Sequence, residues 1–498
     1  MSRVNDRAGS VSGEDSNVLR DQRVEKLQEI RGDGIDPYPY NFTRTREIAD
    51  VLDQFDGDLE EETETHEKLA GRMVGFRDMG KACFFDLKDG SGKLQGYTNI
   101  DLLGEQDYEL LKSLDVGDFI GVSGPIFVTN RGELSVKVKD VQLLSKSLMP
   151  LPEKWHGLKD VEKRYRQRYL DLLVNDEVKE TFVARSKMIS SLRRQLDDEG
   201  YLEVETPLMQ PAAGGATAEP FVTHHNALEQ DLYLRIAPEL YLKRLIIGGM
   251  ERVYELGKNF RNEGVSTKHN PEFTTVEIYQ AYADYEDAMN LTERLISRGT
   301  KEAVGTTQPE VNGEVLDLRP PWDRLSMVNA VEGATGLSDL AGKSAAELRD
   351  FAASKNLDVD GKDDFNWGEM VEFLFEEYVE DDLFQPTFIT DFPTDVSPLA
   401  KTKRDGDRQL TERFEVFVGG LEVGNAFTEL NDPLEQRERF SGSGDKETKD
   451  EDFLAALEYG MPPTAGIGIG LDRLLMAITG SESIREVILF PALRRKTE

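Results

Sequence analysis

ERVYELGKNFRNEGVSTKHNPEFTTVEIYQAY, residues 251–282, decides how the larger, C-terminal part of this chain reads. Its first arm alternates, with Tyr254, Leu256 and Phe260 on one side and Glu255, Asn259 and Arg261 on the other. The second arm sets Thr274, Val276 and Ile278 against Phe273, Thr275, Glu277 and Tyr279. Joined through Asn262 to Glu272, the arms predict an antiparallel pair with a long loop. One face is core-like, and the other gathers a guanidinium, an aromatic ring, a carboxylate and a phenol. A solvent-exposed sheet face would also show this pattern. A nucleoside triphosphate needs the same groups: an arginine for a phosphate gaining charge in the transition state, and a flat ring for the base.

Two further segments belong with it. ERFEVFVGGLEVGNAFTEL (412–430) predicts a hairpin turning at Gly419-Gly420. If Phe417 pairs with Glu422, then Glu415 lies diagonally beside Glu422, and two such carboxylates repel unless a cation joins them. Magnesium carried by a triphosphate is the natural cation. Strict alternation puts Asn425 and Glu429 on the opposite face, so both reach the site only through a bulge near Gly424. In GIGIGLDRLLM (466–476), Gly466, Gly468 and Gly470 allow a close backbone approach, and Arg473 sits in the first turn of a helix whose Leu471, Leu474, Leu475 and Ile478 face the core. A solvated acidic strand and a surface arginine are the plainer alternatives.

The 498 residues suffice for several domains, with 38% apolar residues to fill their cores. One cysteine, Cys83, precludes an intrachain disulfide and fits a reducing cytoplasm; no Cys/His group has zinc spacing. No apolar run approaches the ~18 residues of a membrane span. The net charge of -35, from 95 Asp and Glu against 60 Lys and Arg, would repel nucleic acid in dilute salt. Dispersed acidity with surviving basic clusters points to work in concentrated salt, where screening shortens that repulsion. Lys163, Arg164, Arg166 and Arg168 form the densest such cluster, read as either a polyanion contact or a solvated helix face.

Residues 1–16 read as a disordered tail and Asn17 to Arg31 as a charged helix within an N-terminal helical appendage, 17–68. Five β-rich runs across 69–148 predict a small barrel such as the OB-fold, a frequent reader of single-stranded nucleic acid; a purely structural barrel fits the pattern too. A linker, 149–175, leads to 176–498, where helices alternate with strands and neither a GxGxxG nor a GxxxxGK[ST] fingerprint occurs. SGSGDKETKDED (441–452) reads as a surface loop.

Residues 251–282 resemble motif 2 of the class II aminoacyl-tRNA synthetases, GYLEVETPLMQP (200–211) is similar to motif 1 and GIGIGLDRLLM to motif 3. FRNEG, HNPEFT, THHNAL, RIAPELYLKRL, QPTFIT and SPLAK match the lysyl branch of subclass IIb, and the likeness covers roughly residues 19–498. The resemblance implies an α+β fold: an OB-fold barrel followed by a six- or seven-stranded antiparallel sheet flanked by helices, in a homodimer built on motif 1. It implies ATP-dependent activation of L-lysine and its transfer to tRNA(Lys), with ATP as co-substrate and Mg2+ as cofactor. By matching positions, Arg261, Glu263, His269, Phe273 and Arg473 would bind ATP, with Arg261 and Arg473 catalytic. Gly215, Glu239, Glu277, Tyr279, Asn425 and Glu429 would bind lysine, with Glu239 and Glu429 taking its side-chain ammonium. Glu415 and Glu422 would bind the metal. Arg77, Phe84, Gln95 and Glu133 would read the anticodon, Phe85 competing with Phe84 for the inward side. Glu219, at a position usually arginine, and Ala426, where glycine is common, depart from the pattern. A lysyl transferase acting on a protein would lack the barrel, and an inactive RNA-binding paralogue would have lost Arg261 or Arg473.

Overall fold

The computed structural model describes residues 13–55, 59, 61–152, 158, 160–212, 214–216, 218–407, 409–442 and 450–495. The chain divides into two compact units, residues 1–157 and 158–498. Most of the expected tail and most of the loop read at 441–452 lie outside the described residues.

In the first unit, helix α1 (Gly13–Gly32) begins four residues before the expected Asn17. Arg23 donates to the backbone carbonyls of Val116 and Ser147, and Lys26 pairs with Asp115 at 2.7 Å, so the helix is fastened to the barrel beside it. The barrel comprises β1 (Glu67–Asp78), β2 (Ala82–Lys88), β3 (Lys93–Asn99), β4 (Phe119–Gly124), β5 (Ile126–Val128), β6 (Leu134–Lys137) and β7 (Asp140–Ser145), in the order β5-β6-β3-β2-β1-β4-β7. Five sequence runs give seven strands because two of them bend. Pro125, which has no N–H to donate, separates β4 from β5, and the chain turns again between β6 and β7. Leu69, Met73, Phe85, Leu87, Ile120, Val122, Val136 and Leu143 fill the interior.

The second unit is built on an eight-stranded sheet. Its strands are β8 (Leu202–Glu203), β9 (Arg252–Phe260), β10 (Glu272–Ala281), β11 (Asp323–Ser326), β12 (Thr387–Thr390), β13 (Arg413–Val418), β14 (Leu421–Thr428) and β15 (Thr464–Gly470), in the order β11-β12-β13-β14-β15-β10-β9-β8. The six inner strands pair antiparallel. The two edges correct the expected six or seven antiparallel strands, since β8 joins β9 and β11 joins β12 in parallel. Both edges are short, and their sequence periodicity is too brief to register as strand.

One face of this sheet is the main core. Tyr254, Val276, Ile278, Phe414, Val416, Ile467 and Ile469 pack there against α2 (Asp176–Asp198), α4 (Tyr285–Val304) and α5 (Leu471–Thr479). Alternation then sends Arg261, Phe273, Glu277, Tyr279, Glu415 and Asn425 to the opposite face. Of the basic cluster, Arg168 is buried, which corrects the polyanion expectation for that residue; Arg164 and Arg166 are half-buried and ion-paired, and Lys163 is exposed. Arg168 is fully buried, lies beside the rings of Tyr165 and Phe182, pairs with Asp171, and donates to the carbonyls of Leu489, Arg485 and Ile488. Arg164 also pairs with Asp171, and Arg166 with Glu162.

Candidate active site

The polar face of the sheet floors a cavity of about 490 Å³. Gly215, Glu239, Arg261, Glu263, His269, Phe273, Glu277, Tyr279, Glu415, Glu422, Asn425 and Arg473 all line it. Glu429, the remaining expected lysine contact, lies beneath this lining, 1% exposed.

At one end stand the guanidinium groups. Arg261 follows β9 directly, and its carbon lies 5.1 Å from the centroid of the Phe273 ring. Its Nε is buried and without a partner among the described residues. Arg473, in the first turn of α5, donates to Glu422 Oε2 at 2.6 Å and lies 3.0 Å from His269 Nε2. Burial, then the charge of Arg473, holds His269 below the usual imidazole value. Across β10, the loop carrying Glu263 and His269 is pinned by Asn262, whose N–H donates to the carbonyl of Glu219 at 2.7 Å. Glu219, exposed, meets this loop through its backbone carbonyl.

The hairpin turns at Gly419 and Gly420, with φ of 62° and 75°, as a two-residue type I′ connection requires. Phe417 pairs with Glu422, Val416 with Gly424 and Glu415 with Asn425, so Val423 is the extra residue of a bulge. That bulge lets Glu415, Glu422 and Asn425 share the cavity. Burial, then the neighbouring Glu422, raises the Glu415 carboxyl above its ordinary range, against the pull of Arg413. Arg413 donates to Glu415 at 2.6 Å and to Asn425 at 3.2 Å. Ala426 points into the core, 1% exposed, where its methyl adds packing and leaves the cavity unchanged.

At the other end are the acids. Glu239 opens α3 (Glu239–Ile247), and one turn later the fully buried Lys243 donates to it at 2.6 Å. The Lys243 ammonium also contacts Glu429. Glu277 lies on the adjacent strand; burial, then the charge of Glu239, pushes its carboxyl up to about 8 despite Arg261 and Arg235. These groups fit because β15 is bare. A Cβ on Gly466 would stand 2.0 Å from Glu429 Oε1 and 2.5 Å from Tyr279, and one on Gly468 would stand 3.1 Å from Glu277. The glycines at alternate positions thus form a floor over which three side chains lie flat.

On the barrel, Phe85 fills the core and Phe84 faces outward, half-buried. Phe84 stands 5.0 Å from Tyr97, which stands 5.8 Å from Phe127, forming a ladder of three rings. Gln95 is 6% exposed, donates to Glu133 at 2.8 Å and accepts from Ser135. Arg77 lies opposite Phe84 in the β1–β2 register and 3.7 Å from Asp86. Sequence reasoning missed Tyr97, Phe127, Arg413 and Lys243. Tyr97 becomes legible once β2 and β3 are in register, whereas the i,i+4 spacing of Lys243 to Glu239 is shared by ordinary surface pairs and becomes telling only with the burial of that helix face.

An antiparallel sheet bearing a motif 2 arginine, a motif 3 arginine and a bare glycine strand defines a class II aminoacyl-tRNA synthetase. The family described as "tRNA synthetases class II (D, K and N)" matches residues 160–494, and "OB-fold nucleic acid binding domain" matches residues 68–144. Proteins named lysine–tRNA ligase are similar over nearly their whole length. That of Pelotomaculum thermopropionicum is 54% identical over 97% of this chain and 96% of its own. Those of Carboxydothermus hydrogenoformans and Bacillus subtilis are each 51% identical over 96% of this chain and 98% of their own. The chain belongs to the lysine–tRNA ligase family of the class II synthetases.

Proposed function

We propose that this protein activates L-lysine with ATP and esterifies it to the 3′ end of tRNA(Lys). The observation that carries this reading is a single cavity with guanidinium groups at one end and a buried carboxylate cluster at the other. The cluster fits an ammonium with three donors, and the arginines fit a triphosphate. Glu239 and Glu429 take the side-chain ammonium, with Glu277, Tyr279, Asn425 and the backbone at Gly215 fixing the rest of the amino acid. Ornithine and apolar analogues would leave buried charge unmet. Phe273 stacks on adenine, Arg261 grips the α-phosphate and the lysine carboxylate, and Arg473, Glu263 and His269 hold the remaining phosphates.

The lysine carboxylate attacks the α-phosphorus in line and pyrophosphate leaves. The terminal ribose hydroxyl of tRNA then attacks the adenylate carbonyl, releasing AMP. No protein nucleophile is needed; positioning and charge neutralisation do the work. Among the described residues no group of three or more acidic, His or Cys side chains could hold a metal ion by itself. Two facing carboxylates suit a magnesium ion that brings phosphates as its other ligands, so Glu415 and Glu422 would hold it. Bound there, Mg2+ would neutralise charge on the triphosphate.

The barrel reads the anticodon, with Phe84 stacking on a base while Arg77, Gln95 and Glu133 meet base edges. A purely protein-modifying enzyme has no use for residues 68–144. The exposed apolar residues Leu202, Leu208 and Met209, all within the motif 1 segment 200–211, support a homodimer across motif 1. Among the described residues no helix is long and apolar enough to cross a membrane, and with a single, buried cysteine this supports a cytoplasmic setting.

ATP–pyrophosphate exchange measured with each amino acid tests the reading. Lysine alone should support exchange well, and Arg261→Ala should abolish it. Exchange driven best by aspartate would reject the assignment.

A further inference from the structure

Lys243 has no part in the site as the sequence reads it, yet its position is unusual. Its side chain has no exposed surface, its ammonium lies 2.6 Å from Glu239 Oε1, and the same nitrogen contacts Glu429 Oε2. The ring of Phe453 lies 5.9 Å from it. A fixed ammonium therefore occupies the space between the two carboxylates assigned to the substrate's ammonium. Glu429 Oε1 is buried and without a hydrogen-bond partner among the described residues, so it can accept from one further donor.

We propose that Lys243 is a specificity-determining positioning residue: a resident counter-ion that holds the carboxylates of Glu239 and Glu429 together and offsets part of their charge, so that the pocket accepts one further ammonium. The proposal rests on the assignment of Glu239 and Glu429 to lysine binding. Its physical basis is the expense of placing several carboxylates in one dry cavity. Glu239, Glu277, Glu429 and the phenol of Tyr279 act on one another there, and without a cation the acids take up protons. Burial works to discharge Lys243, but Glu239 and then Glu429 outweigh it and hold the ammonium above its ordinary value. Lys243 in turn restrains the upward shift that burial and Glu239 impose on Glu429. Even with Lys243 in place the Glu429 carboxyl stays raised, to about 8, so the trio reaches one net negative charge, matching a single incoming lysine side chain, as Glu429 ionises toward that pH.

Two opposite outcomes separate this role from a bystander's. A cation that only sits nearby repels the substrate, so removing it would tighten lysine binding. A counter-ion that favours ionisation of the acids does the reverse. The test is ATP–pyrophosphate exchange by Lys243→Met, similar in length and uncharged, against varied lysine and varied ATP, across pH. We expect KM for lysine to rise about tenfold or more, with kcat at saturation and KM for ATP little changed. The pH at which lysine binding sets in should also move upward. Lys243→Arg keeps the charge and should recover part of the loss, which a packing defect would not allow. If Lys243→Met does not fold, Lys243→Gln, uncharged and polar, carries the test through its lysine KM and pH profile, and wild-type values for both would overturn the proposal. Unchanged or lowered KM for lysine in Lys243→Met overturns it too. Glu239→Gln and Glu429→Gln serve as controls. If they leave the lysine KM unaltered, the site assignment itself fails; if they raise it while Lys243→Met does not, only the role of Lys243 fails.

Discussion

Glu277 shows how a single side chain sets the conditions under which this pocket works. Burial beside Glu239 pushes its carboxyl up to about 8, so below that pH it is neutral and attracts an ammonium weakly. Ionisation above it strengthens the attraction. Lysine affinity should therefore rise from pH ~6.5 to ~8.5, and binding near neutral pH should release protons. Calorimetry at one pH in buffers of different ionisation heats reads that release, and a heat that does not vary with the buffer would contradict the assignment. Gly466 makes the complementary point. A methyl there would meet Glu429 at 2.0 Å, against a strand that cannot move far, so Gly466→Ala should weaken lysine binding more than ATP binding. Overpacking of this kind costs about 1–3 kcal/mol, which chemical denaturation can measure. At this scale much was legible. The alternation in residues 251–282 assigned the polar face, and the hairpin reading demanded the bulge found at Val423. Lys243 was not legible as part of the site, because a lysine four residues after a glutamate is an ordinary pair on a helix surface. Only the burial of that helix face makes it otherwise.

Among the elements, the barrel face and the helical cluster before the catalytic unit behave differently from their sequence texture. The alternating strand ACFFDLK left the choice between Phe84 and Phe85 open; β2 settles it by burying Phe85. The outward ladder of Phe84, Tyr97 and Phe127 then depends on register between strands, which sequence periodicity does not carry. Tyr97→Ala should reduce kcat/KM for tRNA by about 1–3 kcal/mol of lost stacking while leaving ATP–pyrophosphate exchange unchanged. Equal damage to both reactions would mean the ring is structural. The segment EKRYRQRYL reads as a cationic face, yet Arg168 is fully buried. Its guanidinium replaces water for three backbone carbonyls near the C-terminus, and Asp171 neutralises it. Arg168→Met leaves Asp171 without this partner and should destabilise the second unit by about 3–5 kcal/mol. A loss of tRNA affinity with unchanged stability would restore the surface reading.

For the whole molecule, the charge of -35 is the property that most constrains where it can act. A polyanion partner approaching in dilute buffer meets long-range repulsion, whereas at ~1 M salt the screening length falls to ~3 Å and short contacts decide. Aminoacylation should accordingly peak in concentrated KCl, with the KM for tRNA falling as salt is raised from dilute values; an optimum in dilute buffer would overturn this. Composition gave that expectation directly, since charge adds over the chain without regard to fold. The sheet edges were invisible for the opposite reason: two or four residues in parallel register acquire meaning only from neighbours distant in sequence. The glycine floor has a last implication, for heredity. Every missense single-base change in a glycine codon specifies a residue with a side chain, so the floor beneath the acids offers no small step to mutation. A lineage departing toward a different amino acid would have to begin in the walls, by recoding Glu239, Lys243 or Glu429, before anything under them could change.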